Sequence, residues 1–355
     1  MTSPPQPSSL LNSTTKELSG HTIHGAATLP ASYITRSPAA VESEPVVKEE
    51  IPTVDISLLR NGDLHQRSSI ISEIGRACRE WGCFTVVNHG ISEKLQREMV
   101  EAFGGFFNLT EEEKAVYKMK NIFDPICHGT STNLMGTHVR FWRDFLRVTV
   151  YPVLYYPTKP IHFRRVSEDY ALQTKEIINE LLRAISESLG LEESFIEESL
   201  DLASGSQILN GNFYPPCPQA ELVMGLPPHS DPAIFSLLIQ NNTTCNGLQV
   251  LHNDKWVIID LIKPSFLFLL GDHIEIISNG RYKSVVHRVM VSSESTRISV
   301  GISILPPTDV VLAPAPRLLE SSGSPNEPRR LTVKEFLALK YQNKGMNSAM
   351  DLINM

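Results

Sequence analysis

Three side chains in the second half of the chain have the types and spacing of metal ligands. His229 and Asp231 are two residues apart in GLPPHSDPAIFSLLIQ, at the entrance to an apolar strand, so both point to one side of the backbone. His287 lies among valines in the apolar run YKSVVHRVM. Two imidazoles and one carboxylate with open coordination positions are typical of non-haem Fe(II) oxygenases. Zinc hydrolases use the same ligand types, and a hydrogen-bonded strand cap needs no metal, so these interpretations stay open.

A second pair of polar side chains predicts an anion-binding pocket. Arg297 and Ser299 are also two residues apart, in the apolar strand TRISVG. A guanidinium directed into an apolar interior needs an anion, which is either a distant carboxylate of the protein or a small anionic cosubstrate. Tyr214, in GNFYPPCP, is a candidate for a second hydroxyl from a facing strand.

The order of the elements indicates an α+β protein. Helical spacing in QRSSIISEIGRACREWG and SEKLQREMVEAFGGFFNL flanks the strand-like CFTVVNHG, and a long amphipathic helix is predicted from Glu168 to Leu189. After Gly205 short strands alternate with turns: HNDK and SNGR are predicted hairpin turns, and HIEIIS is predicted as part of a strand. Thr332 and Glu335 form a predicted capping box. So many short strands favour a sandwich or jelly roll.

Composition excludes several classes of protein. The 355 residues carry a formal net charge of −7 and are 41% hydrophobic, which is ordinary for a globular protein and unlike a nucleic-acid binder. The five cysteines form no CxxC pair, so we expect reduced thiols and a cytoplasmic location. The run SFLFLLG is too short to span a bilayer, and no secretory signal or transit peptide is recognisable. We therefore expect a monomer with no membrane and no nucleic-acid partner.

The combination of these motifs resembles one enzyme family. HSD at 229–231, His287 in SNGRYKSVVHRV, RIS at 297–299 and NFYPPCP at 212–218 are similar to the plant 2-oxoglutarate/Fe(II)-dependent dioxygenases. Within that family the resemblance is to the flavanone 3-dioxygenase-like branch of specialised metabolism. REWGCFTVVNHGIS at 79–92 is similar to the N-terminal domain that accompanies the family's core, and the similarity runs from about Ile51 to Pro316.

The resemblance implies a fold and a set of site residues. The expected fold is a double-stranded β-helix, a jelly-roll core, with an α/β N-terminal region and flanking helices. The implied Fe(II) ligands are His229, Asp231 and His287. The implied 2-oxoglutarate ligands are Arg297, Ser299, Tyr214 and Asn212. No catalytic residue is expected beyond the metal centre, and ascorbate is expected to support activity.

The implied reaction converts 2-oxoglutarate and O2 to succinate and CO2 while a small plant metabolite or hormone is oxidised. Flavonoids and other phenylpropanoids, alkaloids and terpenoids are the expected substrate classes. Hydroxylation is the expected outcome, although desaturation, demethylation and ring closure would use the same residues. The expected substrate-lining residues are Asn133, Phe141, Phe145, Phe235 and Ser303. Ser303 stands where flavonoid-oxidising members usually carry phenylalanine, which leaves room for a bulkier or an aliphatic substrate.

Two other functions are compatible with parts of the same pattern. One is an Fe(II) oxidase that does not use 2-oxoglutarate, and the other is a non-catalytic jelly-roll binder of a metabolite or hormone. The intact triad disfavours the binder, because a binder needs no open metal face. The set of Arg297, Ser299 and Tyr214 favours 2-oxoglutarate over the direct oxidase.

The sequence also suggests a division of the chain into five segments. Residues 1–48, rich in Pro, Ser and Thr, are expected to be a mostly mobile N-terminal segment. The other expected segments are an N-terminal dioxygenase domain at 49–165, a connecting helical segment at 166–204, the jelly-roll core at 205–316 and a C-terminal helical segment at 317–355.

Overall fold

Two β-sheets face each other across a cavity, and helices cover the outer face of the larger sheet. The computed structural model describes residues 29–35, 45–130, 139–241, 247–261, 264–320, 329–342 and 348–354. In chain order, the strands of these residues are β1 (Val46–Val47), β2 (Thr53–Asp55), β3 (Cys83–Val87), β4 (Ile126–Thr130), β5 (Asp144–Tyr151), β6 (Ser206–Tyr214), β7 (Met224–His229), β8 (Phe235–Gln240), β9 (Leu248–His252), β10 (Lys255–Ile258), β11 (Phe266–Leu270), β12 (His287–Met290), β13 (Arg297–Leu305), β14 (Val311–Leu312) and β15 (Leu331–Thr332).

Helices are concentrated before the strand-rich region and at its end. In chain order, the α-helices of the described residues are α1 (Ser57–Asn61), α2 (Leu64–Glu80), α3 (Glu93–Phe107), α4 (Glu111–Ala115), α5 (Phe163–Ser188), α6 (Phe195–Ser199), α7 (Asp272–Ile277), α8 (Pro316–Glu320), α9 (Val333–Gln342) and α10 (Ala349–Asn354). Short 3-10 helices occur at Ala31–Tyr33 and Ala220–Leu222. Within this part of the chain, no helix has both the length and the apolar composition needed to cross a membrane.

The smaller sheet has the strand order β1-β10-β9-β12-β7, and the larger sheet has the order β2-β3-β11-β8-β13-β6-β5-β4. Strand β3 from the N-terminal region pairs antiparallel with β11, so the N-terminal region extends the larger sheet. Helices α2, α3 and α5 pack together against the outer face of this sheet and bury the main hydrophobic core. Gly211 permits the close approach of α3, since a Cβ there would lie 1.9 Å from the Phe103 ring.

Strand alternation divides the larger sheet into a cavity face and a core face. Odd-numbered residues of β13 and even-numbered residues of β6 line the cavity, and the residues between them face the helices. The cavity residues of β5 are the odd ones from 145 to 149, with Arg143 just before the strand, and those of β8 are Ser236 and Leu238. Cavity residues therefore include many polar side chains, whereas the opposite face is almost entirely apolar.

Most of the predicted elements are confirmed. The two helices around CFTVVNHG are α2 and α3, and the strand itself is β3. HNDK forms the β9–β10 hairpin, with Asn253 at φ 47° and Asp254 at φ 60°. The predicted capping box is present, because the Glu335 amide donates to Thr332 Oγ1 at 3.2 Å and the Thr332 amide donates to Glu335 Oε2 at 2.8 Å.

Three predictions about local structure were wrong. HIEIIS is not a strand, since its residues lie in the buried helix α7, and SNGR follows that helix instead of forming a hairpin turn. In a short run that is buried on all sides, the spacing of apolar residues does not distinguish a helix from a strand. The long helix α5 begins before Glu168, at Phe163.

Of the N-terminal segment at 1–48, residues 1–28 and 36–44 lie outside the described residues. The stretch between them packs on the body of the protein. Tyr33 is buried, and its ring meets Trp142 edge to face with centroids 5.2 Å apart.

Candidate active site

The three predicted metal ligands converge at one end of the cavity. His229 is the last residue of β7 and His287 the first of β12, and the two are direct partners in the antiparallel ladder. Asp231 follows β7, with its Oδ1 3.7 Å from His229 Nε2 and 3.8 Å from His287 Nε2. One ligand atom from each residue lies within 4.8 Å of the other two. A cation between them would contact two nitrogens and one oxygen.

Both imidazoles are oriented by the backbone two residues earlier. His229 Nδ1 lies 2.9 Å from the Pro227 carbonyl oxygen, and His287 Nδ1 lies 3.1 Å from that of Val285. A carbonyl can only accept, so each Nδ1 carries the proton and each Nε2 presents a lone pair to the cavity. Burial, helped by the neighbouring His287, lowers the pKa of His229 to about 3. The ring is therefore neutral at physiological pH, as a metal ligand must be.

The carboxylate of Asp231 is held in its ionised form. Burial opposes ionisation, but His287, His229 and a hydrogen bond from Ser236 keep the pKa of Asp231 below its usual value. Ser236 Oγ donates to Asp231 Oδ2 at 2.7 Å and lies 2.8 Å from Ser303 Oγ. This leaves Oδ1 directed at the histidines. A neutral, oriented pair of imidazoles with one hydrogen-bonded carboxylate is a donor set that fits Fe(II).

The predicted anion-binding residues lie on the facing sheet and line the same cavity. Arg297 is 1% exposed, its Nη1 donates to Ser299 Oγ at 3.2 Å, and its Nε donates to Gln240 Oε1 at 3.0 Å. Tyr214 is opposite Arg297 in the β13–β6 ladder, with its ring 5.3 Å from the guanidinium carbon. Asn212 is opposite Ser299 and accepts a hydrogen bond from Arg143.

The predicted substrate-lining residues are distributed differently from the expectation. Phe141, Phe145 and Ser303 line the cavity, whereas Asn133 lies outside the described residues. Phe235 requires a correction: it is fully buried in the core, where its ring is 4.7 Å from that of Phe268. The reason is strand parity, because Ser236 takes the cavity side of β8 and Phe235 therefore takes the core side.

The structure also brings residues to the site that sequence reasoning missed. Arg143, just before β5, and Arg147, within it, line the cavity on either side of Phe145, a spacing visible in FWRDFLR. Lys340 of α9 reaches the back of the metal-ligand cluster, where its Nζ donates to Ser230 Oγ at 2.7 Å and lies 2.9 Å from Asp272 Oδ2. No local signal in the sequence links α9 to the HSD motif.

The cavity has a volume of about 480 Å³. Its inner end is formed by the metal-ligand cluster and the Arg297 pocket. The rest of its wall includes residues of β5, of the segment around Phe123 and of helix α9. This space suits a cosubstrate and a small organic molecule bound side by side.

Comparison with known proteins agrees with this geometry. Residues 205–306 match the 2OG-Fe(II) oxygenase superfamily, and residues 51–168 match the N-terminal region described as non-haem dioxygenase in morphine synthesis. The chain is 36% identical to 2-oxoglutarate-dependent dioxygenase 19 of Oryza sativa subsp. japonica, over 92% of this chain and 97% of that protein. It is 35% identical to flavanone 3-dioxygenase 2 of the same organism, over 87% of this chain and 89% of the relative.

Among solved structures, the crystal structure of JOX2 in complex with 2OG, Fe and JA superposes with a TM-score of 0.83 at 26% identity. The match covers 95% of this chain and 97% of that chain. The jelly-roll architecture predicted from the sequence is thereby confirmed.

The fold and the matches define the class of this protein: the chain belongs to the 2OG-Fe(II) oxygenase superfamily. More particularly, it is a 2-oxoglutarate-dependent dioxygenase similar to those of plants, an oxidoreductase that uses Fe(II) and 2-oxoglutarate to oxidise a small molecule.

Proposed function

We propose that Fe(II) is held by the three clustered side chains and that 2-oxoglutarate binds between them and the facing sheet. The proposed iron ligands are His229, Asp231 and His287, and the proposed 2-oxoglutarate ligands are Arg297, Ser299, Tyr214 and Asn212. The observation that carries this assignment is the convergence of three ligand atoms within 4.8 Å, with both imidazole Nδ1 atoms already hydrogen-bonded to backbone carbonyls.

When bound, Fe(II) and 2-oxoglutarate supply the activation of O2 and the oxidation of an unactivated C–H bond, with succinate and CO2 as the coproducts. The chain contributes position and charge. Arg297 offers a guanidinium, and Ser299 and Tyr214 offer hydroxyls, to the distal carboxylate of the cosubstrate. Asn212 is the cavity-facing residue of β6 two positions before Tyr214, and it offers a side-chain amide to the cosubstrate. The walls of the cavity exclude water from the reacting centre.

We propose that the substrate is a small plant specialised metabolite or hormone and that hydroxylation is the outcome. Two observations support this. The cavity of about 480 Å³ includes apolar side chains in its wall, among them Phe141 and Phe145. The relatives also include a flavanone 3-dioxygenase and a structure solved with JA.

We further propose a cytoplasmic monomer with no nucleic-acid or membrane partner. The formal net charge of −7 and the four free cysteines of the described residues support this. Light scattering and cell fractionation test it.

The division of the chain at residues 48, 165, 204 and 316 is likewise a proposal, which limited proteolysis tests. A requirement for ascorbate is tested by turnover with and without it.

The decisive experiment needs no knowledge of the substrate. Fe(II) is added to the apoprotein without oxygen, 2-oxoglutarate is titrated, and the weak visible charge-transfer band of the metal–cosubstrate chelate is followed. We expect a saturating band that is lost in His287→Ala and retained in His65→Ala, which changes an exposed histidine of α2. Iron binding without a band would favour the direct Fe(II) oxidase, and failure to bind either would favour the metabolite binder.

A further inference from the structure

We propose that the substrate of this enzyme is a carboxylic acid and that its carboxylate binds Arg143 on the cavity wall. The inference rests on the proposed function, because it concerns the space left beside the iron and 2-oxoglutarate sites.

Arg143 lies just before β5 and takes the cavity face of that strand, as Phe145 and Arg147 do. The register of β5 and β6, in which Asp144 is opposite Phe213, sets Arg143 beside Tyr214. Tyr214 is itself opposite Arg297 on β13. The two guanidiniums therefore flank Tyr214 from opposite sides. Arg297 serves the cosubstrate pocket in the proposed function, and Arg143 lies on the other side of Tyr214, where Phe141 and Phe145 also line the cavity.

The charge of Arg143 is only partly satisfied by the protein. Its Nη1 donates to Asn212 Oδ1 at 3.1 Å, and the guanidinium carbon lies 5.4 Å from the centre of the Phe145 ring. Its Nε is buried and has no hydrogen-bond partner among the described residues. Within that part of the chain no carboxylate lies within salt-bridge distance of it. A buried donor of this kind is costly unless a ligand accepts its hydrogen bond.

The neighbouring acidic residue, Asp144, does not serve as the carboxylate partner of Arg143. Asp144 lies on the other face of β5, is fully buried, and accepts a hydrogen bond from Thr130 Oγ1 at 2.5 Å. Burial lowers the pKa of Arg143, and Tyr214 and Asp144 oppose that effect without removing it. A buried guanidinium without a carboxylate partner gains a charge-assisted hydrogen bond when an anion binds beside it.

The cavity residues around Arg143 also indicate the chemical nature of the rest of the substrate. Phe141 and Phe145, two residues before and after Arg143 in the chain, line the cavity with it, and Ile122, Phe123 and Leu337 contribute further apolar side chains. A flat carboxylate matches the planar fork of arginine, and an aromatic or alicyclic body matches the wall. Arg143 and the metal-ligand cluster line the same cavity, so an acid bound to Arg143 would lie close to the proposed iron site.

The test uses the full chain loaded with Fe(II) and 2-oxoglutarate. The probes are aryl- and cycloalkyl-carboxylic acids, each paired with its methyl ester; cinnamic acid and 1-naphthaleneacetic acid are two of them. Without oxygen, binding is read from the change each probe causes in the charge-transfer band. With oxygen, it is read from stimulated succinate formation. We expect acids to bind and their esters to bind at least about 10-fold more weakly, as the loss of a charge-assisted hydrogen bond predicts.

Arg143→Gln then removes the charge while keeping a donor for Asn212. We expect the preference for acid over ester to fall about 10- to 100-fold, whereas Arg143→Lys keeps part of it. Arg97→Gln, on the exposed face of α3, is the control that leaves the preference intact. If Arg143→Gln does not fold, the proposal is tested by comparing the affinities for acid and ester in the wild type with those in Arg143→Lys.

Each contrary result points to a different error. Esters that bind as tightly as their acids, or a panel in which no acid binds, overturn the carboxylate assignment. Loss of the 2-oxoglutarate band in Arg143→Gln would show that Arg143 serves the cosubstrate, so the inference fails while the proposed function stands. Absence of the band in the wild type would mean that the proposed function itself fails.

Discussion

His229 and His287 are direct cross-strand partners on β7 and β12, and the centroids of their imidazole rings are 4.2 Å apart. Each ring bonds through Nδ1 to the carbonyl of the residue two positions earlier. The same local motif therefore orients both rings, and the ladder between the strands sets their separation. The site is preorganised by backbone geometry, which costs little entropy when a metal binds.

Arg297→Ala is expected to raise the apparent KM for 2-oxoglutarate by about 10- to 100-fold, because a charge-assisted contact with the distal carboxylate is lost. Steady-state kinetics with varied 2-oxoglutarate measure this, and Fe(II) binding is expected to persist. Arg288→Ala is the matched control. Arg288 is also buried, but it stacks over Trp256 at 3.9 Å and bonds to Gln249, so its loss lowers stability without changing that KM. An unchanged KM in Arg297→Ala would make Arg297 a structural residue.

Ser236→Ala is expected to weaken Fe(II) binding by about 10- to 100-fold, since Asp231 Oδ2 loses the hydroxyl that orients it. Anaerobic Fe(II) titration with a competing chelator gives the affinity. Ser303→Ala is the control, because it removes only the outer hydroxyl and leaves the Ser236–Asp231 bond in place. Equal affinities in wild type and Ser236→Ala would contradict an orienting role for this hydroxyl.

Phe235→Ala and Phe145→Ala are expected to have opposite signatures. Phe235 is a core residue, so its truncation is expected to cost about 3–5 kcal/mol of unfolding free energy with little change in substrate preference. Phe145 lines the cavity, so its truncation is expected to change substrate affinity more than stability. Urea denaturation and the probe panel separate the two. A selective effect of Phe235→Ala on substrate choice would reinstate it as a substrate contact.

The contribution of Glu275 to stability is expected to fall as the pH rises from about 4.5 to about 7.5. Burial and the charge of Asp272 raise the pKa of Glu275 to about 7, above its unfolded value. The folded state thus binds this proton more tightly, and the resulting stabilisation, at most about 3 kcal/mol, is complete below the unfolded pKa and lost as the pH passes the folded one. Urea denaturation across this range measures the slope.

Glu275→Gln is expected to remove this contribution, so the unfolding free energy of the wild type relative to that of the variant falls over this range. Both proteins keep a further pH dependence, because burial raises the pKa of Asp272 even though Lys340 opposes this, and burial lowers the pKa of His229 to about 3. Glu101→Gln, on the exposed side of α3, is the control that keeps the wild-type profile. A wild-type slope retained in Glu275→Gln would show that other groups carry the pH dependence.

The sequence by itself determined the chemistry of the site. His229 with Asp231, and Arg297 with Ser299, are two residues apart in apolar strands, and strand geometry alone directs each pair to one side. The turn residues of HNDK and the Thr332 capping box were likewise predictable, because their hydrogen bonds join residues close in the chain. What these motifs share is that the interactions defining them are local.

Tertiary structure decided which side chains meet. Strand pairing brought His287 beside His229, and strand parity sent Ser236 to the cavity and Phe235 to the core, a one-residue difference that apolar composition does not encode. Helix α9 delivered Lys340 to Asp272, and the β5–β6 register set Arg143 beside Tyr214. These contacts join segments far apart in the chain. They depend on register and packing summed over whole elements, which no single stretch of sequence contains.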